Sequence, residues 1–194
     1  MELFDKALMY AIEQHSGQRR KTSDLPYIMH PLEVATIVGT MTDSQETLAA
    51  AVLHDTVEDA NATLEEIAKL FGKRVSLIVM TETENKREEL PPEQTWRLRK
   101  EETLSMLENT KDDAVKMLWL GDKLSNMRSF YRQYLEQGDS LWQSFNQKDP
   151  AKQAWYYRTI AKCLYSLHNF PAYQEYTMLV DKVFENVKED IYGL

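Results

Sequence analysis

Apolar residues recur along this chain mainly at intervals of three and four positions, which is the spacing of amphipathic α-helices. A first helix is predicted where Phe4, Leu8, Ala11 and Ile12 share one face. Pro31 predicts the first position of a second helix, because proline is favoured where no backbone N–H is needed. The start of the chain therefore has the period of helices and not the alternation of strands.

Capping patterns predict where the next two helices begin. In a capping box, a Ser, Thr, Asp or Asn is followed three residues later by Glu or Gln. Asp43 with Glu46 fits this pattern, and so does Thr63 with Glu66. Glycine is common just past a helix end, so Gly72 predicts the end of the helix that begins after Thr63.

The middle of the chain contains an apolar segment followed by a charged one. Residues 75–80 include β-branched residues typical of strands, but we interpret them as a buried helix because no partner strand is evident nearby. The charged stretch over 81–92 ends in two prolines and predicts a loop, with a flap at 81–93. The remaining long helices are predicted at 94–109, 112–137, 151–168 and 172–190.

This pattern predicts an all-α fold, a helical bundle of about eight to ten helices. A length of 194 residues is usual for one domain. We therefore expect a single domain over 1–194, with its core at about 3–170 and a C-terminal helical extension at about 171–194.

Composition narrows the class of protein. The net charge is −8, which argues against a nucleic-acid partner, since sequence-independent binding relies on Lys and Arg neutralising phosphates. Cys163 is the only cysteine, so an intrachain disulfide is excluded and a reducing compartment is favoured. The sequence has neither a signal-peptide pattern nor an apolar run long enough for a membrane helix. We expect a cytoplasmic protein without a membrane partner, and its oligomeric state stays open.

Histidine and aspartate residues form the strongest chemical pattern. His30 directly precedes Pro31, and His54 is followed by Asp55 at the end of an apolar helix. Asp122 follows an apolar run, and a buried carboxylate is costly unless it is paired or binds a metal. Two imidazoles and two carboxylates suit Mn, Fe, Ni, Co or Zn. The alternative is a set of chance occurrences, with Asp122 exposed or bonded along its own helix.

Two more carboxylates, Glu58 and Asp59, follow His54 and Asp55 at a distance of four residues. If the helix continues, Glu58 shares a face with His54, and Asp59 shares one with Asp55. Crowded carboxylates raise a pKa, which suits a general acid or base. The alternative is a solvated acidic helix end.

A basic cluster of Arg19, Arg20 and Lys21 precedes the first candidate ligand. Arginine binds phosphate in a bidentate manner, so the cluster could hold a phosphorylated ligand; the alternative is a solvated loop. Asn126 lies one helical turn beyond Asp122 and would share its face. These residues complete the candidate site.

Three segments together resemble a known family. They are RKT at 20–22 leading to YIMHP at 27–31, HDTVED at 54–59, and GDKLSNMR at 121–128. In this order they are similar to the hydrolase domain of Rel/Spo proteins, and most closely to the stand-alone small alarmone hydrolases, within the HD-domain phosphohydrolases. The resemblance covers about residues 3–170, and the HDTVED string is far more specific than an isolated His-Asp pair.

The resemblance implies an all-α fold and a bound Mn²⁺, or another divalent transition metal. It implies an enzyme that removes the 3′-pyrophosphate from guanosine tetra- and pentaphosphate, a small phosphorylated nucleotide. The positions that match the family's metal ligands are His30, His54, Asp55 and Asp122.

The resemblance also implies roles in catalysis and substrate binding. Glu58 and Asp59 match the pair that orients or deprotonates the attacking water. Arg20 and Lys21 match basic residues near the nucleotide, and Asn126 matches a residue of its pocket. We expect further neutralisation of substrate charge from two more basic residues, Arg19 and Lys123.

The chain departs from the family pattern at three points. The spacing from Arg20 to His30 is one residue longer, residues 79–82 keep only part of a Val-Thr segment, and Gly121 replaces a common alanine, which should be tolerated. Other substrates therefore stay open, namely an adenine alarmone or the 2′-phosphate of NADPH. A module that senses nucleotide without cleaving it is a further alternative, although binding alone does not need the pair Glu58 and Asp59.

Overall fold

The computed structural model describes residues 1–20, 24–85, 87 and 89–188. These residues contain ten α-helices: α1 (Leu3–Gln14), α2 (Met29–Val38), α3 (Gln45–Leu53), α4 (Thr56–Asp59), α5 (Leu64–Phe71), α6 (Lys73–Met80), α7 (Pro92–Asn109), α8 (Asp113–Gln137), α9 (Pro150–Cys163) and α10 (Pro171–Val183). Two 3₁₀ helices cover Gly138–Ser144 and Tyr165–Leu167. With no strand among the described residues, the predicted all-α fold is confirmed.

The chain forms two compact units. The first comprises Met1–Glu84 and Asp112–Ser125, and the second comprises the described parts of Asn85–Lys111 and Asn126–Leu194. Helix α8 contributes its first half to the first unit and the rest to the second. The single domain over 1–194 with its C-terminal extension stays a prediction.

Helix α3 is the centre of the first unit. Helices α1, α2 and α6 pack against it. Every residue from Ala49 to Leu53 is completely buried, as expected for a helix that is apolar on all sides. Because α3 ends at Leu53, the buried His54 and the partly buried Asp55 follow at the edge of the core, where each polar side chain needs a partner.

Helix α8 passes close to α2 at Gly121. A Cβ atom built on Gly121 would lie 2.9 Å from Cγ2 of Val38 and 3.2 Å from Cγ1 of Val34. These distances are shorter than ordinary van der Waals contact between carbon atoms. The absence of a side chain therefore permits the two helices to approach, immediately before Asp122.

The observed helix starts confirm one of the three predicted starts and correct the other two. The Thr63 side chain accepts a hydrogen bond from the third N–H of α5, as predicted. Asp43 does not cap α3; Ser44 does, because it directly precedes the first helical residue and its hydroxyl reaches the helix N–H groups. Helix α2 begins at Met29 and not at Pro31, which occupies the third position, where the missing N–H still costs no helical hydrogen bond.

The later helices differ from their predicted ranges mainly at their ends. Segment 75–80 is helical as predicted, within α6, and α7 begins at Pro92. Helix α10 ends at Val183, so the predicted range 172–190 is wrong. The carbonyl oxygens of Phe184 and Val187, just beyond the helix, accept hydrogen bonds from the Arg158 guanidinium. The short helix α4 and the 3₁₀ segment Gly138–Ser144 were not predicted.

The second unit is packed around aromatic side chains. Trp142 and Phe184 stack at 5.2 Å between ring centroids, and the hydroxyl of Tyr176 donates to the carbonyl of Tyr157. Tyr165, by contrast, is 63% exposed.

None of the described helices has the length and apolarity that a membrane crossing requires.

Candidate metal centre

Two buried histidines face the same space in the first unit. His30 is the second residue of α2, and His54 directly follows α3. Their ring centroids are 5.2 Å apart. Nδ1 of His54 lies 2.9 Å from the carbonyl oxygen of Ala51, and Nδ1 of His30 lies 2.8 Å from Oγ of Ser125. Both rings therefore use Nδ1 for local contacts and direct Nε2 inwards.

Two carboxylates meet these Nε2 atoms. Oδ2 of Asp55 lies 3.0 Å from His54 and 3.5 Å from His30. Oδ1 of Asp122 lies 3.0 Å from His30 and 3.8 Å from His54. The structure thus brings together all four residues that the sequence proposed as metal ligands.

The donor set is compatible with a divalent cation. One ligand atom from each of His30, His54 and Asp122 lies within 4.8 Å of the other two. Nε2 of His54 is buried and lies 3.0 Å from Oδ2 of Asp55, with which it forms an ion pair when the imidazole is protonated. Imidazole nitrogens and carboxylate oxygens that converge in this way are a suitable ligand set for a transition metal.

Burial and the neighbouring charges shift the pKa values of these groups in opposite directions. Burial lowers the pKa of His54, but the carboxylates of Asp55, Asp122 and Glu82 outweigh it and raise the pKa to about 10. Burial raises the pKa of Asp55, yet His54 and His30 bring it below its usual range. Burial also acts to raise the pKa of Asp122, but Lys123 and both histidines hold it well below its ordinary value. The neighbouring positive charges thus favour the ionised form of both aspartates.

Glu58 and Asp59, the next two candidate residues, are separated from α3 by a turn. The chain does not continue as one helix, because His54 and Asp55 form a turn and Glu58 and Asp59 belong to the separate short helix α4. Oε2 of Glu58 is 3.4 Å from the backbone nitrogen of Glu84. Both carboxylates belong to the same unit as the candidate metal ligands.

Tyr27 connects the two groups of carboxylates and was not singled out from the sequence. Its hydroxyl lies 2.8 Å from Oδ2 of Asp55 and 3.0 Å from Oδ2 of Asp59. Burial, followed by the charges of Asp55 and Asp59, raises the pKa of Tyr27, so the hydroxyl stays protonated as a donor. The only sequence signal was its position within the YIMHP segment.

Lys123 lies beside Asp122 inside the site. Its ammonium pairs with Oδ2 of Asp122, is 3.9 Å from Oε2 of Glu82, and lies 4.4 Å from the centre of the Trp119 ring. Only 12% of the Lys123 side chain is exposed. The contacts thus direct Lys123 towards the second oxygen of a candidate ligand, and its predicted role in substrate binding stays a prediction.

Glu82 is a buried carboxyl group whose importance the sequence did not indicate. Its side chain is 5% exposed, and its Oε1 has no hydrogen-bond partner among the described residues. Burial is the main cause that raises the pKa of Glu82 to about 8. A charged residue two positions after the end of α6 was the only available signal.

The basic cluster is divided by the structure. Arg19 is exposed, and its guanidinium donates to the carbonyl of Asp24 at 2.8 Å. The Arg20 guanidinium lies 5.7 Å from the centre of the Tyr27 ring, which places it next to a residue of the site. Lys21 lies outside the described residues. Asn126 is half-buried one turn after Asp122 on α8, in the second unit.

Comparison with known proteins gives this arrangement a class. Residues 7–150 match the HD domain family, and this match covers most of the chain. The chain belongs to the HD domain family.

Individual relatives are more specific. The chain is 42% identical over 131 residues to the guanosine-3′,5′-bis(diphosphate) 3′-pyrophosphohydrolase MESH1 of Xenopus tropicalis, a match that covers 66% of this chain and 69% of that protein. It is 40% identical over 130 residues to the GTP pyrophosphokinase rsh of Brucella ovis, covering 66% of this chain. This chain spans only 17% of the length of the Brucella protein.

A solved structure shows the same fold over nearly the whole chain. A metazoan ortholog of SpoT, described as hydrolysing ppGpp, superimposes with a TM-score of 0.68 and 26% sequence identity. The match covers 96% of both chains. These similarities confirm the resemblance that the three sequence segments indicated.

Proposed function

We propose that this chain is a metal-dependent hydrolase that removes the 3′-pyrophosphate from guanosine tetra- and pentaphosphate and releases GDP or GTP with pyrophosphate. One observation carries the proposal: a carboxylate oxygen of Asp55 and one of Asp122 each lie within 3.8 Å of Nε2 of both His30 and His54, and Tyr27 links Asp55 to Asp59. The named activity of the Xenopus relative, at 42% identity, supports the substrate class.

The reaction is a hydrolysis at phosphorus. The oxygen of water bonds to the phosphorus atom attached to ribose O3′, and the bond between that phosphorus and O3′ breaks. One proton leaves the attacking water, and O3′ receives a proton as it departs. No oxidant or further reactant is needed.

The proposed metal would be held by His30, His54, Asp55 and Asp122, and when bound it supplies an acidic water and a positive charge next to a phosphoryl oxygen. We propose Mn²⁺ as the bound metal, although the nitrogen and oxygen ligands also suit iron, cobalt, nickel and zinc.

The protein residues then orient the water and the nucleotide. Glu58, assisted by Asp59, takes the proton of the water or holds the water in line with the bond that breaks. Tyr27 fixes the direction of the Asp59 carboxylate by donating a hydrogen bond to it. Arg20, next to Tyr27, is the best placed described residue of the basic cluster to neutralise phosphate charge. Most of the acceleration would come from this positioning and electrostatic stabilisation.

Metal-stripped protein incubated with guanosine tetraphosphate tests the proposal. We expect GDP and pyrophosphate in equal amounts with Mn²⁺ and neither product without it. Parallel reactions with adenine alarmones and NADPH measure the base and phosphate preference. Protein that binds Mn²⁺ but leaves guanosine tetraphosphate intact would reject this substrate. Intact nucleotide that stays bound would favour a module that senses nucleotide without cleaving it.

The cytoplasmic location also stays a prediction.

A further inference from the structure

His30 is held on its outer side by two side chains, those of Ser125 and Glu33. Its Nδ1 lies 2.8 Å from Oγ of Ser125, and that hydroxyl lies 2.7 Å from Oε2 of Glu33. Ser125 is on α8, and Glu33 lies on α2, the helix that carries His30. Ser125 is only 1% exposed, so bulk water does not compete for these hydrogen bonds.

The number of available protons fixes the direction of this chain of hydrogen bonds. The Ser125 hydroxyl has a single proton and donates it to Oε2 of Glu33. Ser125 must then accept from His30, which requires a proton on Nδ1. A neutral imidazole protonated at Nδ1 carries its lone pair on Nε2, the atom that faces Asp55 and Asp122.

We infer that Glu33 and Ser125 are positioning residues that fix the Nδ1–H form of His30 and thereby set the affinity of the site for a divalent cation. The inference rests on the metal site of the proposed function. The proton on Nδ1 of His54 has a backbone partner instead, because Nδ1 faces the Ala51 carbonyl, which can only accept. Because the partners of His30 are side chains and the partner of His54 is a backbone carbonyl, substitutions can test the hydrogen bonds of His30 only.

The first test measures binding of Mn²⁺ alone, by titration calorimetry on metal-stripped protein without nucleotide. Ser125→Ala removes the acceptor of the His30 proton, and loss of such an outer partner weakens metal affinity by about 10–100-fold. Ser129→Ala is the matched control, because Ser129 lies one turn further along α8, where its hydroxyl contacts Gln133. We expect this control to bind Mn²⁺ as the unmodified protein does.

Substitutions of Glu33 separate its role as an acceptor from its contribution to packing. Glu33→Gln keeps a side-chain oxygen that accepts from Ser125 and should retain most of the affinity for Mn²⁺. Glu33→Ala leaves the hydroxyl of Ser125 without its acceptor and should lose affinity. If both variants lose affinity equally, the carboxylate does not act as the acceptor of a relay.

Turnover at increasing Mn²⁺ distinguishes positioning from damage to the fold. For Ser125→Ala we expect the Mn²⁺ concentration needed for half-maximal rate to rise, with kcat largely restored at saturation. Equal affinity in Ser125→Ala and the unmodified protein, or a loss of turnover that excess Mn²⁺ does not restore, would overturn the inference. Unmodified protein that binds Mn²⁺ without hydrolysing guanosine tetraphosphate would reject only the proposed substrate; protein that binds no Mn²⁺ would overturn the relay as well.

Discussion

The hydroxyl of Tyr27 lies 2.8 Å from Oδ2 of Asp55, the oxygen that also approaches both histidines. The same hydroxyl lies 3.0 Å from Asp59. One phenolic proton thus serves a candidate metal ligand and a candidate water-activating carboxylate. Tyr27, which is neither a candidate ligand nor a candidate base, therefore orients the Asp55 and Asp59 carboxylates relative to each other.

Replacing Tyr27 by phenylalanine should reduce turnover while leaving the fold intact. The ring and its packing remain, but Asp55 and Asp59 lose their shared donor. We expect a fall in kcat or Mn²⁺ affinity of about 10–100-fold, as for other partners of metal ligands. Steady-state kinetics and calorimetry measure the two effects, with Tyr165→Phe on the exposed surface of the second unit as control. Unchanged values for both would remove Tyr27 from the site.

Glu58→Gln should separate binding from chemistry. The amide keeps the shape of the side chain but cannot take a proton, and general base catalysis contributes about 10²–10⁴-fold. We expect Mn²⁺ binding to stay unchanged while turnover falls by this order. Glu65→Gln, at an exposed position on α5, is the control. Strong residual turnover in Glu58→Gln would contradict its assignment as the base.

Asp122→Asn should abolish Mn²⁺ binding and turnover together. The substitution removes a charge that lies 3.0 Å from His30 and leaves the ammonium of Lys123 without its carboxylate. Metal content after dialysis and the rate of pyrophosphate release are the measurements. The control Asp113→Asn alters an exposed residue at the start of the same helix. A variant that keeps stoichiometric metal would show that Asp122 is not a ligand.

Sequence patterns were sufficient for the fold class because apolar spacing determines which face of each helix is buried. They also placed His30, His54, Asp55 and Asp122 in one hypothesis, since a polar residue next to an apolar run needs a partner. Tyr27 could not be found this way. Its contacts with Asp55 and Asp59 join residues 28 and 32 positions apart, which only the packing of the chain brings together.

Some helix ends were predicted wrongly for a similar reason, because local sequence patterns do not contain contacts with distant residues. Beyond the end of α10, the carbonyls of Phe184 and Val187 accept hydrogen bonds from Arg158, which is 26 and 29 positions away in the sequence. Neither the periodicity of residues 172–190 nor their composition contains that contact. Asp43 and Ser44, both good caps, differ only in which of them directly precedes the first helical turn.

Gly121→Ala should destabilise the first unit. The added Cβ would lie 2.9 Å from a methyl group of Val38, and valine in a helix has little rotamer freedom with which to move away. Overpacking costs about 1–3 kcal/mol, against a gain of about 1 kcal/mol in helix propensity. We therefore expect a lower Tm in thermal unfolding.

A second substitution tests whether the Gly121 effect arises at that contact. Gly121→Ala combined with Val38→Ala removes the clashing methyl groups and should recover part of the stability relative to the sum of the single variants. Strict additivity would show that Val38 is not the cause of the destabilisation.

The Arg74–Asp112 pair should contribute stability at neutral pH and not in acid. The guanidinium binds both carboxylate oxygens, at 2.5 and 2.7 Å, and these hydrogen bonds lower the pKa of Asp112 below its ordinary 3.8. Because the folded pKa is depressed, the contribution is complete above the unfolded pKa and is lost as the pH falls through the folded value. Both side chains are partly exposed, so we expect about 1 kcal/mol or less.

Urea unfolding of Asp112→Asn at neutral pH and at pH 3 checks this expectation. The variant should be less stable than the unmodified protein at neutral pH, and the difference in unfolding free energy should shrink in acid. Asp139→Asn in the second unit serves as a charge control. A difference that is the same at both pH values would show that the ionised pair contributes nothing.

The four candidate ligands come from three separate stretches of the first unit: the start of α2, the turn after α3 and the middle of α8. A cation held by all of them would act as a crosslink that the unfolded chain lacks. At a free concentration one hundred times its Kd, such a ligand adds about 2.7 kcal/mol to the free energy of unfolding. The metal supply of a cell would then control how long the folded molecule survives as well as how fast it turns over.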